Sequence, residues 1–161
     1  MTITVGDKLP QAKLLRVGAS GPEAVDTANL TQGRVALFGV PGAFTGTCTN
    51  AHMPSFVRNA DAFRGKGVDR IVCITVNDPF VADAWAKATG ADTAGIEVLA
   101  DADGSLTRAL GLNFDAPAAG LQGRCKRFAA LLKDGQFTAL EVEDNPGQCS
   151  VSAGEALLEK A

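Results

Sequence analysis

Two kinds of apolar periodicity alternate along the chain. Arg34 to Val40 (RVALFGV) and Arg70 to Val76 (RIVCITV) are short, almost uninterrupted apolar runs, the pattern of buried strands covered by other elements. Ile96 to Ala100 (IEVLA) is a third strand of the same kind. Between these runs the spacing changes: Met53, Phe56, Val57, Ala60 and Phe63 recur at helical intervals and stop at Gly65, with Pro54 expected to kink or restart the helix. Pro79 opens a second helix, PFVADAWAKA, where proline suits a first turn, and Ser105 to Leu110 reads as a short third one. At the N-terminal end, Lys13 to Val17 and Glu23 to Asp26 flank the stretch Gly18 to Pro22 and predict a hairpin. Toward the C-terminus, Cys125 to Leu132 and Phe137 to Val142 predict a second antiparallel pair, joined through the turn dipeptide Asp134-Gly135. Ser152 and Glu155 have the spacing of a capping box ahead of a last helix, EALLEKA. This order predicts an α/β fold: a central mixed β-sheet flanked by helices, with an N-terminal β-hairpin.

Composition narrows the classes. At 161 residues, 46% hydrophobic and 20% charged, without repeat, linker or low-complexity tract, the expectation is one folded domain spanning residues 1–161. No apolar run reaches the ~18 residues of a membrane span, and MTITVGDKLPQAKL has no leader pattern, so the expected location is the cytoplasm, with no membrane partner. A net charge of −3 offers no basic surface for a phosphate backbone, which argues against nucleic acid. Four cysteines in such a chain point to catalytic, redox or metal chemistry rather than a disulfide framework.

Cys48 is the cysteine with the most informative surroundings. The strand Arg34 to Val40 ends in Pro41-Gly42, and a helix is expected to begin close to Cys48, so unpaired N–H groups and the helix dipole favour a thiolate there. The alternative is a small buried hydrophobe. Thr45, three residues earlier, could direct its hydroxyl at the sulfur or simply cap the helix. His52, the only histidine, lies one helical turn after Cys48; a Cys-His protease would need a third, orienting group that the sequence does not identify. Strand alternation places Arg127 on one face with Cys125, Ala129 and Leu131, and turns Arg124 and Lys126 to the other. Arg127 is then either a solvated strand charge or a cation among apolar neighbours that requires a partner.

The motif Pro41-Gly42-Ala43-Phe44-Thr45-x-x-Cys48-x-x-x-His52-x-Pro54 resembles the active-site segment of the peroxiredoxins, in their type II, peroxiredoxin-five-like branch. The resemblance continues through Val76-Asn77-Asp78-Pro79-Phe80, Trp85, Lys126-Arg127-Phe128 and Asp134-Gly135, covering nearly the whole chain. It implies a thioredoxin-like fold and a thiol peroxidase that reduces hydrogen peroxide and alkyl hydroperoxides at Cys48. Thr45 and Arg127 would be the donors and Pro41 the shield over the sulfur. Gly42, Phe44 and His52 would be secondary site residues. It also implies a homodimer and no cofactor or metal, with reducing equivalents from an external thiol: thioredoxin, glutaredoxin or glutathione. The chain has no tyrosine, so it cannot carry the Tyr-Phe element that makes some peroxiredoxins prone to hyperoxidation.

A sulfenic acid on Cys48 must condense with a second thiol. Cys149, in the loop after Asn145-Pro146-Gly147-Gln148, resembles the resolving position of animal members, Cys73 that proposed for plant members, and Cys125 matches neither. Three other classes remain in view. A thioredoxin-like thiol-disulfide carrier would want C-x-x-C, which is absent; a structural zinc site would want paired ligands, approached only by Cys48 and His52. A redox-dependent interaction module would consume no peroxide catalytically.

Overall fold

The computed structural model describes residues 2–161. Its main sheet has seven strands, side by side in the order Gly21–Asp26, Lys13–Gly18, Ile96–Ala100, Arg70–Thr75, Arg34–Val40, Phe128–Lys133 and Gln136–Val142. At the centre, β3 (Arg34–Val40) and β4 (Arg70–Thr75) run parallel, as do β4 and β5 (Ile96–Ala100). These are the three apolar runs, and the reason for their continuity is visible in the packing. In β3, Ala36, Phe38 and Val40 face one core while Val35 and Leu37 face the other, so every position after Arg34 is buried. The first core is closed by α1 (Met53–Gly65), α2 (Pro79–Thr89) and α4 (Gly154–Leu158), through Met53, Phe56, Phe63, Trp85 and Leu157. The second is closed by α3 (Ser105–Leu110), through Leu106 and Leu110. No helix among the described residues is long and apolar enough to cross a membrane.

The hairpins flank this centre. β1 (Lys13–Gly18) and β2 (Gly21–Asp26) pair as far as Gly18 opposite Gly21, so the turn is only Ala19-Ser20 and Pro22 falls inside an edge strand, shortening the expected loop. β8 (Phe128–Lys133) runs antiparallel to β3 and pairs with β9 (Gln136–Val142). Their turn holds Asp134 and Gly135 at φ 49° and 82°, the left-handed geometry that favours this dipeptide.

Two expectations fail locally. Cys125 to Leu132 is not one strand: β7 (Leu121–Cys125) pairs with β6 (Asn113–Ala116) in a separate two-stranded arm, and the main sheet resumes only at Phe128. The Lys126 N–H donates to the Leu112 carbonyl at 2.7 Å, which draws the backbone out of the sheet and resets the alternation. Cys125 therefore joins the core of Phe128, opposite Ala129 and Leu131, rather than sharing their face. The second failure is the capping box. Ala153, not Ser152, is the N-cap of α4 and supplies no side-chain bond; Ser152 is bound to Glu143, and Glu155 pairs with Arg58.

Candidate active site

Where β3 ends, the chain turns sharply through residues 41–45. The Ala43 N–H donates to Asn77 Oδ1 at 3.0 Å, and Thr45 Oγ1 donates to the Gly42 carbonyl at 2.7 Å. Arg124 Nη1 donates to the Pro41 carbonyl at 3.2 Å. Gly42 is packed against the same group: a Cβ there would lie 2.8 Å from Arg124 Nη1. Arg124 is thus directed at the turn, whereas strand alternation had sent it to the face away from Arg127; the break at Lys126 accounts for the difference. The Thr45 hydroxyl is committed to the turn as a donor, neither to the Cys48 sulfur nor to a helix end, and its lone pairs remain available. Phe44 sits at φ 60° with 56% of its surface exposed.

The turn leads into a π-helical segment, Cys48–His52, which runs into α1. Pro54 gives the physical reason: it has no N–H to offer the Asn50 carbonyl, and the wider turn, in which the Met53 N–H reaches the Cys48 carbonyl, bypasses it. This is the form taken by the break expected at Pro54.

Cys48 is fully buried, and Arg127, 1% exposed, directs Nη2 at its sulfur from 3.1 Å. Arg127 is held on its other sides. Nη1 lies 3.0 Å from His52 Nδ1, while Nε and Nη2 donate to the Pro146 carbonyl at 3.2 and 2.9 Å. His52 Nε2 is 2.9 Å from the Ser152 carbonyl, an acceptor only, so the imidazole proton resides on Nε2 and Nδ1 accepts from the guanidinium. Burial, reinforced by the charge of Arg127, lowers the His52 pKa to about 3, so the ring is neutral at physiological pH. Its faces are packed by Phe38 and Phe56. Four of the five guanidinium N–H groups are thereby engaged, and one on Nη1 is left to donate. Arg127 also lines a cavity of about 290 Å³, together with Pro41, Thr45, Thr47 and Pro146.

The other three cysteines differ in access. All are free thiols. Cys73, in the middle of β4, is fully buried, and burial holds its thiol well above the usual range. Burial pushes Cys125 up to about 12, against a hydrogen bond from Thr107. Cys149 is only partly buried; burial raises its pKa, opposed by the charge of Arg127. Its loop is fastened to the site at three points: the Pro146 carbonyl on Arg127, the Gly147 carbonyl on Thr47 Oγ1 at 3.0 Å, and the Ser152 carbonyl on His52. Among the described residues no group of three His, Cys, Asp or Glu side chains could hold a metal ion.

The fold thus brings Pro41, Thr45, Cys48, His52 and Arg127 to one place and leaves Cys73 and Cys125 in the cores. Sequence reasoning did not find Arg124 or Glu143, and it gave Ser152 a capping role. A carboxylate buried by a loop that follows it leaves no trace in periodicity. The one available signal was the RCKR cluster, a density of cations that one strand face could not explain.

The sequence matches the Redoxin family over residues 4–158. It is 43% identical to the chloroplastic peroxiredoxin-2E-2 of Oryza sativa subsp. japonica, over 98% of this chain and 72% of that protein. It is 42% identical to peroxiredoxin-2C of the same plant, over 97% and 96%. Among solved structures, reduced Prx3 from Vibrio vulnificus in complex with H2O2 superposes with a TM-score of 0.91 at 40% identity, over 99% of both chains. With a thioredoxin-like fold and this degree of likeness, the chain belongs to the type II branch of the peroxiredoxins, within the redoxin family, and is a thiol-dependent peroxidase that needs no cofactor.

Proposed function

We propose that Cys48 is the peroxidatic residue and Arg127 its principal donor. The observation that carries this reading is the Arg127 guanidinium, 3.1 Å from a buried sulfur, with one N–H unspent beside a solvent cavity. The Cys48 thiolate attacks one oxygen of hydrogen peroxide or an alkyl hydroperoxide; the S–O bond forms as the O–O bond breaks. The other oxygen leaves as hydroxide or alkoxide and takes up a proton, giving water or an alcohol and a sulfenic acid on Cys48. Charge moves from sulfur to the leaving oxygen along this line, and Arg127 spans it: Nη2 serves the sulfur and the free Nη1 proton the peroxide. Thr45 Oγ1, having donated to Gly42, orients the peroxide by accepting a hydrogen bond from its O–H. Pro41 walls the cavity and limits access to the sulfenic acid. The Vibrio neighbour described with bound H2O2 supports this choice of substrate.

Cys149 is the resolving thiol in this reading, because it is the only other cysteine that is not fully buried. Its sulfur displaces water from the sulfenic acid, and the resulting disulfide is reduced by an external thiol, with thioredoxin, glutaredoxin and glutathione as the reductants to compare. Four free thiols fit a reducing compartment, and we place the protein in the cytoplasm although its relatives include chloroplastic and mitochondrial proteins. We also take residues 1–161 as one domain and the working form as a homodimer.

Trp85 Nε1 donates to Thr49 Oγ1 at 3.0 Å, one residue beyond Cys48, so stopped-flow fluorescence follows the oxidation step. Cys48→Ser is expected to abolish peroxide turnover, and retained turnover would refute the assignment. Arg127→Ala is expected to raise the barrier by about 2–4 kcal/mol, the loss typical of a missing oxyanion donor. Mass spectrometry of the oxidised protein should yield a Cys48–Cys149 peptide; a mixed disulfide with glutathione in its place would exclude Cys149.

A further inference from the structure

Glu143 follows β9 and is 6% exposed, yet no lysine, arginine or histidine pairs with it among the described residues. An acid in such a place is costly unless donors satisfy it. Four do: Oε2 accepts from the Ser150 N–H at 2.8 Å, the Ser152 N–H at 2.8 Å and Ser152 Oγ at 2.6 Å, and Oε1 accepts from Ser150 Oγ at 3.2 Å. Burial pushes its pKa up, but these bonds together outweigh burial and hold the carboxyl below its ordinary range. All four donors belong to the loop that carries Cys149. The Glu143 N–H also donates to the Arg127 carbonyl at 2.9 Å, so the clamp and the arginine share a backbone contact.

What this clamp fixes leads back to the sulfur. The Ser152 carbonyl accepts from His52 Nε2, and His52 Nδ1 accepts from Arg127 Nη1. A second carbonyl of the same loop, that of Pro146, takes two donors of the guanidinium. A guanidinium turns freely about its stem unless its partners are fixed, and here both sets of partners stand on the segment that Glu143 gathers. We propose that Glu143 is a positioning residue for the peroxidase reaction: by clamping Ser150 and Ser152 it fixes the carbonyls of Pro146 and Ser152, which hold Arg127, in part through His52, against Cys48. This rests on the reading of Cys48 as the reacting thiol.

The side chain geometry selects the variants. Oε1 meets only a hydroxyl, which can accept as well as donate, so Glu143→Gln can keep the three donors at Oε2 and give its amide to Ser150 Oγ. Glu143→Ala loses the whole clamp, and Ser152→Ala one bond of it. In the full chain, single-turnover oxidation of Cys48 by hydrogen peroxide is expected to slow by about ten- to a hundredfold in Glu143→Ala, the range for outer partners of a reactive centre. The effect should be smaller in Ser152→Ala, and Glu143→Gln should be within a few-fold of the parent. The pH profile of Cys48 alkylation, read by peptide mass spectrometry, should move to higher pH in the same order, which a purely structural clamp would not cause. Glu143→Ala with the parent's rate and profile overturns the proposal, as does lower thermal stability with an unchanged profile. If Glu143→Ala does not fold, Ser152→Ala decides: an unchanged profile there overturns it too. A parent protein whose turnover survives Cys48→Ser would be a failure of the peroxidatic assignment instead.

Discussion

At the scale of single residues, His52 shows how one buried side chain can set the pH range over which the fold is stable. Burial disfavours a charged imidazole, and protonating a ring that accepts from Arg127 would also set two cations against each other, so its pKa falls from 6.5 to about 3. The unfolded chain binds that proton below pH 6.5 and the folded chain refuses it, so the unfolded state carries more protons between pH 6.5 and 3. Stability from this group is complete above pH 6.5 and is lost as the pH falls through that interval, by about 1.4 kcal/mol per pH unit inside it. Glu143, lowered from its ordinary 4.5, adds loss in the same direction, but only from near that value downward. The interval from pH 6.5 to 4.5 therefore isolates His52. Chemical unfolding of the parent is expected to weaken steadily from pH 6 to 5, and His52→Asn should remove most of that slope. A parent stability that is flat over this range, or a slope that survives the substitution, would contradict the neutral buried ring.

At the scale of elements, the π-helical segment carries both Cys48 and His52 and joins the turn of Thr45 to α1. Since Pro54 is what the wide turn bypasses, Pro54→Ala restores an N–H for the Asn50 carbonyl and allows an ordinary α-helix. Such a change would rotate His52 relative to Cys48 and loosen Arg127. Peroxide oxidation is expected to slow by up to about a hundredfold with the helix content retained, as for an active-site displacement near 1 Å; parent kinetics would show that the segment is held by its surroundings alone. The wide turn was only half legible in the sequence. Proline announces a break, but which carbonyl the next free N–H reaches depends on packing. The central strands were legible because both of their faces are buried and their runs are uninterrupted. The end of β7 was not, since Cys125 to Leu132 alternates plausibly as one strand and only the bond from Lys126 to Leu112 divides it. Ser152 failed for a related reason: its local motif competes with a carboxylate nine residues upstream, and tertiary burial makes that carboxylate the stronger acceptor. The motif did bring Thr45, Cys48 and His52 into one segment, but the carbonyls that hold Arg127, directly or through His52, come from a loop with no periodic signature.

At the scale of the whole molecule, two aromatic side chains have no use within the chain. Phe44 is 56% and Phe80 59% exposed, among the few large apolar residues left in water. Phe44 is also held at φ 60°, a conformation that costs a bulky residue energy and persists where something else requires it. Phe44 lies in the active-site turn, and Phe80 in the first turn of α2, just after the Asn77 that binds the Ala43 N–H. A two-fold contact through this face would bury each ring twice, once per protomer, and aromatic side chains bring roughly 150–250 Å² apiece. Sedimentation of the parent is then expected to show a dimer at micromolar concentration. Phe44→Asp suits the test because aspartate tolerates the left-handed backbone better than phenylalanine, so the monomer should not lose stability. Combined with Phe80→Glu it should give a monomer with parent-like circular dichroism. Because Phe44 is next to Thr45, dissociation should also weaken peroxide binding at the turn. A parent that sediments as a monomer would remove the explanation for the strained phenylalanine. A dimer that persists in the double variant would move the interface to another face.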